Sequence, residues 1–420
     1  MARRPCPPLS RSRHRAMTAV HAPPAVARDE LIVLGGADRL QAEEWNQLAR
    51  RGLHLHQWFA GAERSGWNPR HLGVQGVFGL KTIIPAYLVG AGTPHDLHHR
   101  WLGPLGDVAA YAGFRLQPVL SVQAPFAHVS EPLGNSSWLS NAILHEIFYS
   151  LEQTAEWEGA TAVAWPFVDT GCDRLIDVAR DRGYAVLYAG ATATLRVRWP
   201  SFEEYVSSRS KDVRQMIEAD IASIGSAGLR TTVTSDFECD VSHMDRLYRD
   251  AFRRQNGRES PVAPHLFQQL GRRQTPGIWA HLTWHGDRLV GTSLNLTTPE
   301  RLDGTFAAFT PEHRSSGVFF NDLCYEPLRV AIREGVSSID LGPTALHAKV
   351  LRGAVLQRRM ILIRGTTPRR HRLLSMLGHM VARRTQQQER KALGTLWGRR
   401  CFVEETQPLH LLPDVRPWED

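Results

Sequence analysis

Lysine is nearly missing from this chain: of its 50 basic residues only four, at positions 81, 211, 349 and 391, are lysines. Cysteine is sparse as well. The five cysteines, at 6, 172, 239, 324 and 401, form no C-x-x-C pair, so neither a zinc site nor a disulfide framework is indicated, and a reducing cytoplasm is expected. Cys172 and Cys324 read as small buried hydrophobes. No stretch approaches the roughly 18 to 20 uninterrupted apolar residues of a membrane-spanning helix, since the run from Leu356 to Gly365 is cut by arginines. A G-x-S-x-G elbow is missing, so nothing signals a covalent acyl-enzyme on serine. Residues 1–30 are basic and rich in proline but lack the apolar centre of a secretory signal, and they read as a disordered tail.

What is present suits a large α/β protein. With 420 residues, 42% apolar and 22% charged, there is material for two ordinary cores. A net charge of +8 and a pI near 9.5 fit a protein that meets a polyanion such as RNA. Much of the excess lies near the ends, including the segment RRHRLLSMLGHMVARRTQQQERK.

Periodicity predicts a helix over Asp38–Arg50, strands over 74–80 and 82–90, and a strand from Pro118 that breaks at Pro125. A strong amphipathic helix over Asn141–Glu158 is followed by a strand at 162–169. A short helix after Asp173 ends at Gly183, and a further strand begins at Ala185. The second half repeats this grammar. It has helices over Pro200–Ile217, with Ser201 as N-cap, and over Asp245–Gln255. Strands at 278–286, 288–298 and 303–310 follow, with a hairpin turn at Gly286-Asp287, then a helix over Phe319–Glu334 and a strand at 337–342.

Three antiparallel strands, a helix and a further strand is the order of an acetyltransferase core. The hairpin ending in Leu289-Val290-Gly291-Thr292, the strand GTFAAFT, the loop PEHRSSG, the strand IDLG and the closing AKVLRG resemble the GNAT superfamily. The resemblance is specifically to the duplicated type found in Fem-type peptidoglycan aminoacyl transferases. SFEEYVSSRSKDVRQMI matches that group's helix beside the acceptor groove, and PFAHVSEPL resembles the first repeat. The resemblance implies two GNAT-like mixed-sheet halves packed with helices: a degenerate first half at 31–199, a second at 200–370, and a basic helical extension at 371–420.

It also implies a mechanism. A loop of the form Q/R-x-x-G-x-G/A before a helix holds a pyrophosphate on its backbone N–H groups in acetyl-CoA-dependent members. Here it reads Arg314-Ser315-Ser316-Gly317-Val318-Phe319, with bulky Phe319 where a small residue is wanted. The resemblance therefore implies aminoacyl-tRNA as donor, with acyl-CoA as the alternative, and a small-molecule amine or hydroxylamine as acceptor. No cofactor or metal is implied. The histidines of HDLHHR at 95–100 lack a carboxylate at metal-ligand spacing or a cysteine partner.

Lys349 follows the closing strand, where Fem-like enzymes carry a lysine associated with phosphate contacts or the transfer step; a compact ammonium suits either role, and a plain surface charge is the alternative. His347 is a candidate general base and Tyr325 a candidate proton donor. Arg352, Asn295 and Asn321 are candidate substrate contacts. Lys211 and Arg214, and Arg253 and Arg254, are candidate contacts to an RNA backbone, against the plainer reading of solvated helix faces. A catalytically silent protein that binds a glycan, nucleotide or RNA on the same fold is the reading from another class.

Overall fold

The computed structural model describes residues 29–90, 102, 104–135, 139–257, 259–260, 262, 264–271, 277–398 and 401–402. Residues 1–28, Cys6 among them, and the histidines of 95–100 lie outside the described residues. The first half runs β1 (Glu30–Gly35), α1 (Ala42–Asn46), α2 (His56–Arg64), β2 (His71–Gly76), β3 (Gly79–Ile84), β4 (Ala86–Val89), α3 (Pro104–Tyr111) and β5 (Val119–Val122). It continues through β6 (Leu133–Gly134), α4 (Asn141–Trp157), β7 (Ala162–Asp169), α5 (Asp173–Asp181) and β8 (Ala185–Arg196). Next come α6 (Phe202–Ser207), α7 (Lys211–Ser226), β9 (Leu229–Thr234), α8 (Val241–Asn256), α9 (Pro264–Gly271), β10 (Ile278–His285), β11 (Arg288–Thr297) and β12 (Arg301–Phe309). The chain then forms α10 (Val318–Phe320), α11 (Glu326–Arg333), β13 (Ser338–Gly342), α12 (Leu346–Leu351), β14 (Val355–Gly365) and α13 (Pro368–Leu393).

Among the described residues, β1, β2, β3 and β6 form a small antiparallel sheet. The other strands form a sheet of ten, ordered β4-β5-β7-β14-β8-β13-β12-β11-β10-β9. Two of its pairings are parallel, β5 with β7 and β12 with β13. Each holds register over three residues: Val119–Ser121 against Ala162–Ala164, and Arg301–Asp303 against Ser338–Asp340. A helix connects each pair, α4 in the first case and the rod from α10 to α11 in the second. The same unit thus occurs twice, as the duplicated α/β order requires. β14 inserts between β7 and β8, and β13 pairs with β8, so the sheet runs unbroken across the 199/200 boundary drawn from the sequence.

Local chemistry explains most element ends. Ser140 accepts the Ile143 N–H at 3.2 Å and caps α4, whose Ile143, Ile147 and Leu151 fall on one buried stripe. Ser201 caps α6 through the Glu204 N–H. Gly286, at φ +57°, turns the β10–β11 hairpin.

Several boundaries depart from expectation. The helix expected over Asp38–Arg50 shrinks to a 3-10 turn at Ala37–Arg39 and the five residues of α1, with Trp45 buried and its indole held by the His54 carbonyl at 2.8 Å. The strand expected at 74–80 contains the tip of the β2–β3 hairpin, where Phe78 is fully exposed. Pro85 separates β3 from β4, which leaves for the larger sheet. The helix expected over Pro200–Ile217 breaks at Ser208–Ser210 into α6 and α7. β1 starts at Glu30, inside the expected tail, and the terminal helix starts at Pro368, where Thr367 accepts the Arg370 N–H, rather than at 371.

The two faces of the large sheet carry different helices. On one face α2, α8 and α9 pack Phe59, Met244 and Phe267 onto Leu282, Leu294 and Leu296. On the other, α6, α7, α11 and α12 pack Phe202, Ile217, Leu328 and Val350 onto Leu195, Leu302 and Ile339.

Candidate functional site

β12 and β13 stop pairing after Asp303 and Asp340, and polar groups collect around that point on both faces of the sheet. On the face covered by α6, α7, α11 and α12 lies the cluster that the sequence partly anticipated. Lys349 of α12 is wholly buried, and its ammonium donates to the Leu341 and Gly342 carbonyls at 2.5 and 3.4 Å. Burial lowers its pKa to about 8 against the opposing pull of Cys324 and Asp340. One turn on, the Arg352 guanidinium donates to the Tyr325 hydroxyl at 2.7 Å and pairs with Asp220 at 2.6 Å, and its carbon lies 3.6 Å from the Phe320 ring centre. Tyr325 itself donates to Asp220 at 2.5 Å, and burial holds its hydroxyl well above the ordinary value. Burial pushes the Cys324 thiol up to about 11, opposed by Lys349 and Arg352, so it stays a thiol at neutral pH.

Lys349, Tyr325 and Arg352 are thus brought together, and Asp220 joins them. Asp220 was missed, though a signal existed: with Val213 and Ile217 it continues an i, i+4, i+7 stripe on α7, an acid on the apolar face. His347 stands apart. Two residues from Lys349 on the same helix, it points about 200° away and is exposed.

The loop before α10 is arranged differently from a phosphate cradle facing open space. Gly317 sits at φ +72°, and a Cβ there would lie 2.6 Å from the Asp220 carbonyl oxygen, so the close approach is to α7 of the same chain. Arg314 and Ser315 are exposed and Ser316 half-buried. Phe319 packs edge to face on Phe320, at 5.0 Å, and against Phe309.

Asn295 and Asn321 belong to one buried network beneath the α10–α11 rod. Asn295 donates to Ser293 at 3.1 Å and contacts Nδ1 of His281 at 2.7 Å. Asn321 donates to Thr231 and to Asp322, and Asp322 accepts from Thr283 at 2.6 Å. Burial raises the Asp322 carboxyl to about 7, opposed by the Thr283 and Asn321 hydrogen bonds, and burial lowers His281 to about 3. Both amide nitrogens are engaged inside the fold, while Oδ1 of Asn295 has no partner among the described residues.

The opposite face carries a second polar assembly that sequence reading missed. Strand alternation sets Arg301 and Asp303 of β12, Asp340 of β13, Thr192 and Thr194 of β8, and Gln357 and Arg359 of β14 on the side away from Leu302, Ile339 and Leu195. Arg51 keys into it. Its guanidinium forks onto Glu131 at 2.6 and 3.1 Å and reaches Asp340 at 3.4 Å and Asp303 at 3.7 Å. Burial opposes the Arg51 charge, but Glu131, Asp303 and Asp340 overcome it and raise its pKa. Burial would raise Glu131, yet Arg51, with Arg301 and Arg359, holds it well below the carboxylate range. Asp303 is pushed up by burial, against Arg51. His54, beside them and wholly buried, is lowered to about 3 by burial, and neither ring nitrogen has a partner among the described residues. Arg359 pairs with Asp169 and donates to Thr192 and Gln357. The legible signal was period-two polarity in the runs RLD, SID and TAT, strands buried on both faces.

The four candidate RNA contacts do not form one patch. Lys211 and Arg214 lie on α7 and Arg253 and Arg254 on α8, helices that cover opposite faces. Arg253 is paired with Glu259 at 2.7 Å and Asp250 at 3.7 Å, and Arg254 donates to the Phe309 carbonyl.

The FemAB-like family, described as peptidoglycan biosynthesis/recognition, matches residues 37–391. The chain belongs to the FemAB-like family. No curated relative matches it. Among solved structures it is similar to FemX (TM-score 0.56, 11% identity, 80% of this chain and 98% of that one covered). It is also similar to the C-terminal DUF2156 domain of a putative lysylphosphatidylglycerol synthetase from Agrobacterium fabrum (TM-score 0.51, 10% identity, 81% and 96% covered). A tandem GNAT protein from the clavulanic acid biosynthesis pathway scores 0.48 at 12% identity, with 81% and 99% covered. At such identities the likeness is one of fold. The family expected from the sequence is borne out, as is an α/β fold in which one parallel strand–helix–strand unit occurs twice, and membership of this family supports a transferase role in cell-wall synthesis. No helix among the described residues is long and apolar enough to cross a membrane.

Proposed function

We propose that this FemAB-like protein moves an aminoacyl group from aminoacyl-tRNA to a small-molecule amine acceptor, with no resident cofactor. The observation that carries the reading is Lys349, a buried cation at the end of β13, tied to its carbonyls and flanked by the Arg352–Asp220–Tyr325 triad. In the reaction the acceptor nitrogen attacks the ester carbonyl. The carbon–oxygen bond to the ribose breaks, the nitrogen loses a proton, and the ribose oxygen gains one. A lysine with a pKa near 8 serves as an oxyanion partner while charged, the acyl oxygen taking the place of its longer contact to the half-buried Gly342 carbonyl, and as a proton source for the departing oxygen. Arg352 and Tyr325 act behind it by fixing α12 against α7. No acyl-enzyme is needed, and positioning carries much of the rate.

Phe319 and the filled approach at Gly317 favour charged tRNA over acyl-CoA as donor. The acyl-CoA reading keeps the support of Arg314 and Gly317 in the loop before α10. A tRNA donor implies a cytoplasmic protein. The test is a titration of the purified protein against charged tRNA and against a set of acyl-CoAs at low and moderate salt. Salt-sensitive binding of charged tRNA without CoA binding is expected. Saturable CoA binding with no RNA affinity overturns the donor, and full transfer activity in Lys349→Met overturns the site.

A further inference from the structure

We propose that the outer face of α13 is a docking surface for an RNA backbone; it rests on the reading that the donor is a charged tRNA. α13 is 26 residues long, about 39 Å. Its inner side packs Leu374, Leu377 and Val381 onto Leu187, Ile361 and Ile363 of β8 and β14. Its one acid, Glu389, also turns inward, where it accepts the Ala191 N–H at 2.9 Å and the Tyr188 hydroxyl. What remains outside is basic. Arg369, Arg372, Arg383, Arg384, Arg390 and Lys391 are all exposed, and at 100° per residue they fall within about 120° of the circumference. No carboxylate among the described residues pairs with any of them, whereas Arg180, Arg253 and Arg333 elsewhere on the surface each have one.

Position and composition both select RNA. The far end of α13 contributes Leu393 to the core that holds Cys324, Tyr325, Leu346 and Val350, so the basic stripe leads toward the Lys349 cluster. A strand of phosphates laid along it runs toward the place where an aminoacyl ester is needed. An anionic lipid surface has the same charge chemistry, but a helix that enters lipid needs a wide apolar face. Here that face is spent on the sheet, and only Met376 and Met380 are exposed among the arginines, at 55% and 48%.

The experiment measures binding of fluorescent, deacylated total tRNA to the full-length protein across a salt series. Wild type is compared with a variant carrying Arg372→Gln, Arg383→Gln, Arg384→Gln and Arg390→Gln. All four positions are exposed, and an unchanged melting curve verifies the fold. At about 100 mM salt the variant should bind at least about tenfold more weakly, and the slope of log affinity against log salt should flatten by about 3. Arg180→Gln with Arg333→Gln, both ion-paired elsewhere, should change neither. If wild type binds tRNA and the four-fold variant matches it in affinity and slope, this surface is refuted while the tRNA donor stands. Wild type with no tRNA affinity sinks both. A variant that loses affinity for phosphatidylglycerol vesicles and keeps it for tRNA assigns the stripe to a membrane instead and overturns the proposal.

Discussion

Replacing Arg51 with methionine should be among the most damaging single changes outside the Lys349 cluster. The substitution keeps volume and removes the one cation among the described residues that touches Glu131, Asp340 and Asp303 together. Breaking a buried ion pair from one side costs about 3–5 kcal/mol. Glu131 retains 23% side-chain exposure, which sets the expectation at the lower end, about 3 kcal/mol. For 420 residues at roughly 2.1 cal/mol/K each, that is a fall in Tm of about 3 °C. The pH dependence separates charge from packing. In wild type, Glu131 is held below its ordinary pKa, so its contribution is full above that value and lost as the pH falls through the folded one. In the variant, burial acts unopposed by Arg51, and carboxyls with raised pKa contribute only while protonated. The deficit should therefore be largest near pH 8 and shrink toward pH 5. Urea unfolding midpoints of both proteins across that range measure it, and adding Glu131→Gln to Arg51→Met should recover part of the loss. A deficit below about 1 kcal/mol, or one that does not change with pH, refutes the keystone role of Arg51.

The other predictions concern single groups. Asp322 has a carboxyl raised to about 7, so its own contribution to stability is lost as pH rises from about 4 to 7, against the gain from His54 and His281, which burial holds neutral over much of that range; Asp322→Asn should therefore gain stability relative to wild type as pH rises from about 4 to 7, as read by the difference in unfolding midpoints. Lys349→Met should lower aminoacyl transfer by about a hundredfold or more and leave the midpoint at pH 7 unchanged or higher, because a lysine whose pKa is lowered by burial destabilises the fold while charged. A transfer rate within threefold of wild type would exclude it from the reaction. Gly317→Ala should cost about 2 kcal/mol or more, since φ is +72° and the new Cβ meets the Asp220 carbonyl at 2.6 Å; a thermal melt indistinguishable from wild type would contradict the packing of α7 on this turn.

The sequence by itself determined the elements whose signals are local. The α4 stripe with its Ser140 cap, the strand at 162–169, the hairpin at Gly286-Asp287 and the stop at Gly183 each follow from residues within a turn or two of one another. It also marked Lys349, because one of four lysines in so arginine-rich a chain stands out, and the family likeness through the ordered set from β10 to β14. The tertiary structure alone decided where those elements meet. That β14 slots between β7 and β8 depends on pairings nearly two hundred residues apart, which no window of sequence contains. Asp220 comes to Tyr325 and Arg352 across separations of 105 and 132 residues, and Arg51 to Asp340 across 289. Such contacts leave only a faint trace in sequence, a charged residue on an apolar stripe or a polar one in a buried strand. The partner that makes its burial tolerable becomes visible only when the chain has folded.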